Sequence, residues 1–453
     1  MLLTELRPYQ GRARERSVSA LRGGGGFLLI PEQRTGKCLI SFGVIEGIKP
    51  RSTLIICPKV AIKEWRRQFK THIEPGTMPK PTVVNYEQVV NNRKHWYRWV
   101  KEHPDCLILT DEAHFIKHRG ASRSRVVRHM ALYAKYRLAL TGTPIAQGII
   151  DAWALFDFID PSVFGKFDNT VDKETDRIVE VGFNTKYIIW GGYKKHQITG
   201  YQHEDEFNRI FHEHSFRITL REARREGGKA PMILHYRKSF FNLERKAQRI
   251  YDELEAELET VCNEKRVKVK NVLACVVKLQ QVTGGFIKIV GDDEGISLEQ
   301  TGREKIEKLH ETVRSLQARQ KFIVICRFLH EIDAVESFLR RFGYDVAVVA
   351  GGRPYDGVFA SDAIVMQIQS GMAVDMSKAH TIILYSADYS LINFEQAKFR
   401  ILSYDKEETG RYIFLLAKGT VDEIIYQAVS RKKKLADLII DKYRTAGNQN
   451  GRS

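Results

Sequence analysis

The chain has no long apolar run. Its apolar segments, such as 27–30, 54–57 and 381–385, are four or five residues long, whereas a bilayer-spanning helix needs roughly 20. No membrane span is expected. Paired cysteines are also missing: Cys38, Cys57, Cys106, Cys262, Cys275 and Cys326 lie far apart, without Cys-x-x-Cys or a His at zinc-finger spacing. Reduced thiols in a reducing compartment are expected. His212 and His214, with His196 and His203 upstream, lack regular ligand spacing, which argues against a metal centre there. Residues 1–7 show neither a long apolar core nor a small-residue cleavage site, which points to the cytosol. Acidic residues are in short supply as well: 55 Asp+Glu face 72 Lys+Arg, a formal net charge of +17 over 453 residues. Such a surplus favours a polyanionic partner through long-range attraction and counterion release, and nucleic acid is the first expectation.

What is present is a rhythm. Short apolar runs at 27–30, 54–57, 106–110 and 138–141, then at 322–326, 345–349, 363–368, 381–385 and 412–416, alternate with amphipathic stretches. Runs of this length read as buried parallel strands joined by crossover helices. Ile306, Leu309, Val313 and Leu316 have helical spacing just before one of them. The fold class expected is α/β, with one parallel sheet in each half. Between 166 and 269 the rhythm yields to charged, aromatic and Gly-rich sequence, read as an insertion that is helical in its later part. That leaves a first domain at 1–165, a second at 270–445 and a tail at 446–453. Gly23 to Gly26 read as a connector into the first strand.

The chemistry-bearing residues follow the strands. After 27–30 come Pro31, Glu32, Gln33, Arg34, Thr35, Gly36, Lys37 and Cys38, then the apolar start of a helix. A tight loop entering a helix N-terminus presents backbone N–H groups to phosphate, with Lys37 in reach of the β- and γ-phosphates. From this loop alone, a phosphate loop and a surface Gly-Lys turn both remain open. The run 106–110 ends in Asp111, Glu112, Ala113 and His114, which puts two carboxylates at the C-terminal end of a buried strand, where α/β sheets bind ligands. Asp111 suits Mg²⁺ held through water, and Glu112 suits orienting or deprotonating an attacking water. A further strand ends in Thr141, Gly142, Thr143 and Pro144, a hydroxyl-rich turn suited to sensing the nucleotide state.

The loop, the Asp-Glu-Ala-His box and Thr-Gly-Thr-Pro, in this order, resemble a superfamily-two helicase ATPase. The continuation through Ile145, Ala146 and Gln147, then Trp153 to Phe158 and Pro161 to Gly165, resembles the Swi/Snf-related branch. Leu6, Arg7, Pro8, Tyr9 and Gln10 are similar to that family's opening motif, in which the Gln contacts adenine. Cys57, Pro58 and Lys59 with Trp65 resemble its first DNA-contacting motif, and Asn85, Tyr86 and Glu87 the next. In the second half, 279–286 and 321–328, the latter with Arg327, are similar to the helix and strand that open the second RecA-like domain. Ser370, Gly371 and Asp375 fall in motif five, and Gln396 and Arg400 in motif six.

The resemblance implies two RecA-like parallel-sheet domains of the P-loop NTPase fold, with ATP and Mg²⁺ as cofactors. It implies catalysis by Lys37, Asp111 and Glu112, with Arg400 as an arginine finger. Cofactor contacts fall to Gln10, Arg34, Thr35, Gly36, Lys37, Cys38 and Gln396, with Mg²⁺ at Asp111 and at the position of Cys38. Nucleic-acid contacts fall to Pro58, Lys59, Asn85, Tyr86, Arg327, Ser370 and Gly371, and coupling to His114, Thr141, Thr143 and Asp375. The chain departs from the pattern at Pro31 (a glycine), Cys38 (the Mg²⁺ hydroxyl), Ala373 (a glycine) and Ser403 (a second arginine). A thiol is a poor ligand for a hard ion, so a slower ATPase is expected, water filling the place. The function implied is an ATP-dependent helicase or translocase that remodels forked or branched DNA in replication, recombination or repair, as short phage or bacterial members do. An ATP-gated nucleic-acid-binding switch and an RNA helicase are the alternatives. Two basic stretches, the aromatic-rich 93–99 and the tail run 431–434, allow either nucleic-acid contact or an ordinary helix role.

Overall fold

The structure is a computed structural model that describes residues 1–430 apart from 143–147, 172–177, 192–196, 264–268, 291–295, 317–319, 351–359, 370–375, 377, 389–392, 395–396, 398 and 407–409. The expected site residues Thr143, Ser370, Gly371, Asp375 and Gln396, and the run 431–434, lie outside the described residues. The chain divides into two units, Met1–Pro231 and Met232–Ser453.

In the first unit the strands are β1 (Gly25–Pro31), β2 (Ser52–Cys57), β3 (Thr82–Asn85), β4 (Cys106–Asp111) and β5 (Tyr136–Leu140). Two small hairpins follow, β6 (Thr170–Val171) with β7 (Ile178–Glu180) and β8 (Ile188–Gly191) with β9 (Gln197–Tyr201), and then β10 (Ser215–Ile218). Six of these form one parallel sheet in the order β10-β1-β5-β4-β2-β3. All six residues of β4 are buried, as expected of a strand covered on both faces. The period of two sorts the side chains: Leu28, Ile30 and Ile108 face one core with Phe156, while Phe27, Leu29, Leu107 and Leu109 face the other with Phe42 and Trp65. Each such fully buried side chain contributes about 1.5–3 kcal/mol. The register pairs Leu29 with Leu140 and Asp111 with Leu140, so β4 and β5 end level and β1 runs on beside them to Pro31. The helices that matter for the site are α1 (Pro8–Leu21), α2 (Lys37–Ile48) and α3 (Ile62–His72).

The glycine run is more than a connector, because Gly25 and Gly26 already belong to β1. A Cβ on Gly26 would lie 2.0 Å from the carbonyl oxygen of Ile159, so the helix Ile150–Ile159 crosses the strand at a distance only glycine permits. The aromatic-rich stretch 93–99 lies in a helix, Arg93–Glu102, that buries Trp96 and Val100 in the core.

In the second unit β11 (Leu234–Phe241) precedes a hairpin, β12 (Phe286–Val290) with β13 (Ile296–Gln300). Then come β14 (Phe322–Cys326), β15 (Val346–Val349), β16 (Ala363–Gln367), β17 (Thr381–Leu384) and β18 (Gly410–Ala417). Six of them form a second parallel sheet, β11-β18-β17-β14-β16-β15. The architecture is therefore α/β with two six-stranded parallel sheets, as expected.

The region read as an insertion is divided differently. β10 pairs with β1 and β11 with β18, so 166–269 completes both sheets, and the boundary falls after Pro231 instead of at 165 and 269. Its later part is helical, at Arg245–Asn263. Five of the six cysteines are buried and Cys38 is half-buried, all as free thiols. Among the described residues no helix is long and apolar enough to cross a membrane.

Candidate functional site

The site grows from the C-terminal ends of β1 and β4. After Pro31 the chain turns sharply, with Arg34 at φ 70° and Gly36 at φ 83°, and Gly36 caps α2 in the left-handed conformation that favours glycine. A Cβ on Gly36 would also sit 2.4 Å from Gln10 Nε2. The loop is braced from α1: the Thr35 carbonyl accepts from Tyr9 Oη and from Gln10 Nε2, each at 3.0 Å, while Gln10 Oε1 accepts from Arg7 N at 3.0 Å. Gln10 is buried, and its visible work is to hold the loop. Thr35 Oγ1 donates to the Glu32 carbonyl at 2.6 Å, closing the turn. The first-turn N–H groups of α2, which have no partner within the helix, then stand at the loop's end.

Lys37, the first residue of α2, reaches β4. Its Nζ lies 2.7 Å from Glu112 Oε1 and 3.5 Å from Asp111 Oδ1. Asp111 Oδ1 also accepts from Glu112 N at 3.0 Å, Oδ2 accepts from Trp65 Nε1 at 2.8 Å, and the Asp111 carbonyl accepts from the Tyr86 hydroxyl at 2.8 Å. Glu112 holds φ 51°, an uncommon conformation for a side-chain-bearing residue that turns its carboxylate to the lysine. His114 Nδ1 stands 3.3 Å from Glu112 Oε2. Lys37, Glu112 and Asp111 side chains are 18 %, 16 % and 9 % exposed, enclosed but open at the strand ends.

Burial alone would push the Lys37 ammonium down; the Glu112 and Asp111 carboxylates overcome that and hold it above the usual lysine range. Burial likewise opposes ionisation of Glu112, yet Lys37 and then His114 hold its carboxyl well below the usual range. Burial first, and Asp111 second, push the Cys38 thiol well up. A charged Lys–Glu pair and a neutral thiol result. The loop, the helix N-terminus, Lys37 and the Asp111 carboxylate fit a Mg²⁺-bound nucleoside triphosphate, whereas Cys38 offers the ion no hard oxygen.

The structure thus brings together Arg34, Thr35, Gly36, Lys37, Cys38, Asp111, Glu112 and His114. Thr141 is buried beside β1, its N–H donating to the Leu29 carbonyl at 3.1 Å. Lys59 is exposed and Pro58 buried. The side chains of Asn85 and Tyr86, expected to touch nucleic acid, are engaged within the fold. Asn85 is 6 % exposed and caps a helix, accepting from Gln88 N at 2.7 Å, and Tyr86 is fully buried, stacked on Phe115 at 5.4 Å. In the second unit, Arg327 N donates to Ser386 Oγ at 2.7 Å and Glu331 Oε2 at 3.1 Å, and its guanidinium donates to Gln280 Oε1. Arg400 lies in a short 3₁₀ turn, Phe399–Ile401; its side chain is outside the described residues.

Two contacts had no sequence signal. One is the indole of Trp65 on Asp111. The other is a buried pair, Lys117 Nζ to Asp151 Oδ2 at 3.2 Å, which ties the segment after His114 to the helix Ile150–Ile159. The burial of Asn85, by contrast, was signalled by Gln88 three residues on, the spacing of a capping box.

A profile described as the SNF2-related domain matches residues 82–284. Over 96 % of its length the chain is 20 % identical to an uncharacterized ATP-dependent helicase of Mycoplasma genitalium, covering 42 % of that protein. Over 99 % it is 20 % identical to the human SWI/SNF-related matrix-associated actin-dependent regulator of chromatin subfamily A member 1, covering 45 % of it. Over 98 % it is 20 % identical to the mouse DNA repair and recombination protein RAD54B, covering 57 % of it. The chain therefore spans about half the length of these relatives. Among solved structures it is similar to the Sulfolobus solfataricus SWI2/SNF2 ATPase core in complex with dsDNA, with a TM-score of 0.43 and 20 % identity over 97 % of this chain and 94 % of that one. These likenesses all point to the Swi/Snf-related branch of helicase superfamily two, to which the chain is similar.

Proposed function

We propose that the chain hydrolyses ATP and couples the reaction to translocation on duplex DNA, acting on forked or branched substrates. The observation that carries this reading is the convergence of Lys37, Asp111 and Glu112 at the ends of β1 and β4. The loop N–H groups and Lys37 bind the phosphates, and Asp111 holds Mg²⁺, which supplies charge neutralisation at the transferred phosphoryl group. Phosphate competes with Glu112 for Lys37. When the lysine turns to phosphate, Glu112, with His114 still beside it, is free to orient a water and take its proton. Arg400 is assigned as the finger. The net charge of +17 supports a polyanionic track, and the repair and recombination relative supports DNA as that track. The neutral thiol of Cys38 favours one second reading, a switch that binds ATP and DNA with little turnover.

The test is steady-state ATP hydrolysis by the purified chain alone and with duplex DNA, a fork, a four-way junction, single-stranded DNA and RNA. Stimulation by duplex or branched DNA well above RNA is expected. Background hydrolysis throughout, with ATP and DNA still bound, selects the switch, and preferential stimulation by RNA replaces DNA as the substrate.

A further inference from the structure

Trp65 is the fourth residue of α3, one turn beyond Lys59 and Val60, which are exposed to solvent. Its indole is 1 % exposed and packs edge-on against Phe42 of α2, ring centroids 5.7 Å apart. A buried indole N–H needs an acceptor, and here the acceptor is the carboxylate of Asp111 at 2.8 Å. The backbone of Asp111 is pinned by the β4 ladder and by the Tyr86 hydroxyl on its carbonyl. What remains adjustable is the rotation of the carboxylate. On Oδ1 that rotation is set by Glu112 N and Lys37, both belonging to the nucleotide site. On Oδ2 it is set by Trp65, whose helix begins at a solvent-facing turn.

That turn is stiff. Ala61 N donates to the Pro58 carbonyl at 2.9 Å, closing a 3₁₀ turn at Lys59–Ala61 that runs directly into α3. A displacement at 59–60 is therefore passed to the first turn of α3 as a body. A hydrogen bond of this length tolerates only a few tenths of an ångström before it weakens.

We propose that Trp65 is a positioning residue through which nucleic acid on the turn at 59–60 sets the orientation of the Asp111 carboxylate and so the rate of hydrolysis. This rests on the function proposed above. The indole N–H is the mechanical link: contact at Lys59 re-aims it, and the carboxylate that holds Mg²⁺ follows.

Trp65→Phe deletes the N–H and keeps an aromatic ring against Phe42; Lys59→Ala alters the exposed turn without touching the core. For both variants, the double variant and the parent, the readout is the ratio of hydrolysis at saturating duplex DNA to hydrolysis without it, alongside duplex affinity and the melting midpoint. A structural defect lowers both rates and leaves the ratio. The expected result is a severalfold fall in the ratio for each single variant, duplex affinity of Trp65→Phe equal to the parent's, and a double variant no worse than the more severe single one, as shared coupling requires. A parental ratio in Trp65→Phe, or losses that multiply in the double variant, overturns the proposal. Should Trp65→Phe fail to fold, Lys59→Ala still decides: an effect on affinity alone, with the saturated ratio unchanged, overturns it. A parent that ignores DNA removes the proposed function and this coupling together, whereas a responsive parent with unaltered variants removes the coupling alone.

Discussion

The two units set similar polar chemistry in opposite surroundings. Each is a six-stranded parallel sheet, and each holds a Lys–carboxylate pair. In the first unit, Lys37 and Glu112 are 2.7 Å apart at 18 % and 16 % exposure, so solvent still reaches both. In the second, Lys305 and Asp422 are 2.9 Å apart at 1 % and 4 % exposure, and Asp422 is saturated by Thr283 Oγ1 at 3.0 Å and Ala417 N at 3.3 Å. An enclosed pair whose carboxylate takes further donors from its own fold fastens elements together; one that solvent still reaches can be exchanged for a ligand. Access, more than charge, separates chemistry from architecture here.

Substitutions at three places sharpen or break that contrast. The largest effect is expected at the open pair: Lys37→Ala and Glu112→Gln should each lower ATP hydrolysis by about 10²–10⁴-fold while leaving urea unfolding close to the parent's. Retained hydrolysis in both would remove the pair from the chemistry. Next comes the sealed pair, where Lys305→Met strands a buried carboxylate and should cost about 3–5 kcal/mol, read by urea unfolding. Replacing Asp422 with Leu in the same chain should recover most of the loss. If Lys305→Met proved nearly neutral, the claim that this pair is architectural would fail. The smallest effect is expected at Glu331, which is 1 % exposed. Burial, opposed by Lys305, pushes its carboxyl above the usual range. An acid whose folded pKa is raised lends stability below its unfolded pKa, and that stability drains as pH rises through the folded value. Glu331→Gln should therefore be slightly more stable than the parent at alkaline pH and gain nothing in acid, so unfolding curves at both ends of the range decide it. An equal gain at both would trace the benefit to packing.

Most of the sheet architecture was legible because the inner strands are short continuous apolar runs; β1, β2, β4, β5 and β14 to β18 all fall where those runs stand. The misplaced boundaries came from edge strands. β11 has a buried neighbour on one side only, and its exposed His235, Tyr236, Arg237 and Lys238 give no apolar run to read. At the site, the cluster around Lys37 was legible because loop, lysine and acid box each leave a local pattern. Trp65 was not, because the acceptor it meets is 46 residues away, and nothing in one sequence pairs an indole with a distant carboxylate. The capping by Asn85 and the pinning of Asp111 by Tyr86 went unread, because both side chains were weighed only for nucleic-acid contact.

The free cysteines have a practical side. Cys38, Cys57 and Cys106 fall in the first unit and Cys262, Cys275 and Cys326 in the second. Burial pushes the Cys106 thiol up to about 11 and holds Cys38, Cys57 and Cys326 well above their usual range, so these four thiols stay largely neutral near pH 7. At the buried positions Cys57, Cys106 and Cys326 an alkylating reagent then marks chiefly molecules whose core has opened, and the position of the label says which half opened. The chain carries its own pair of clocks, one in each sheet, for asking whether its two halves come apart together or in turn.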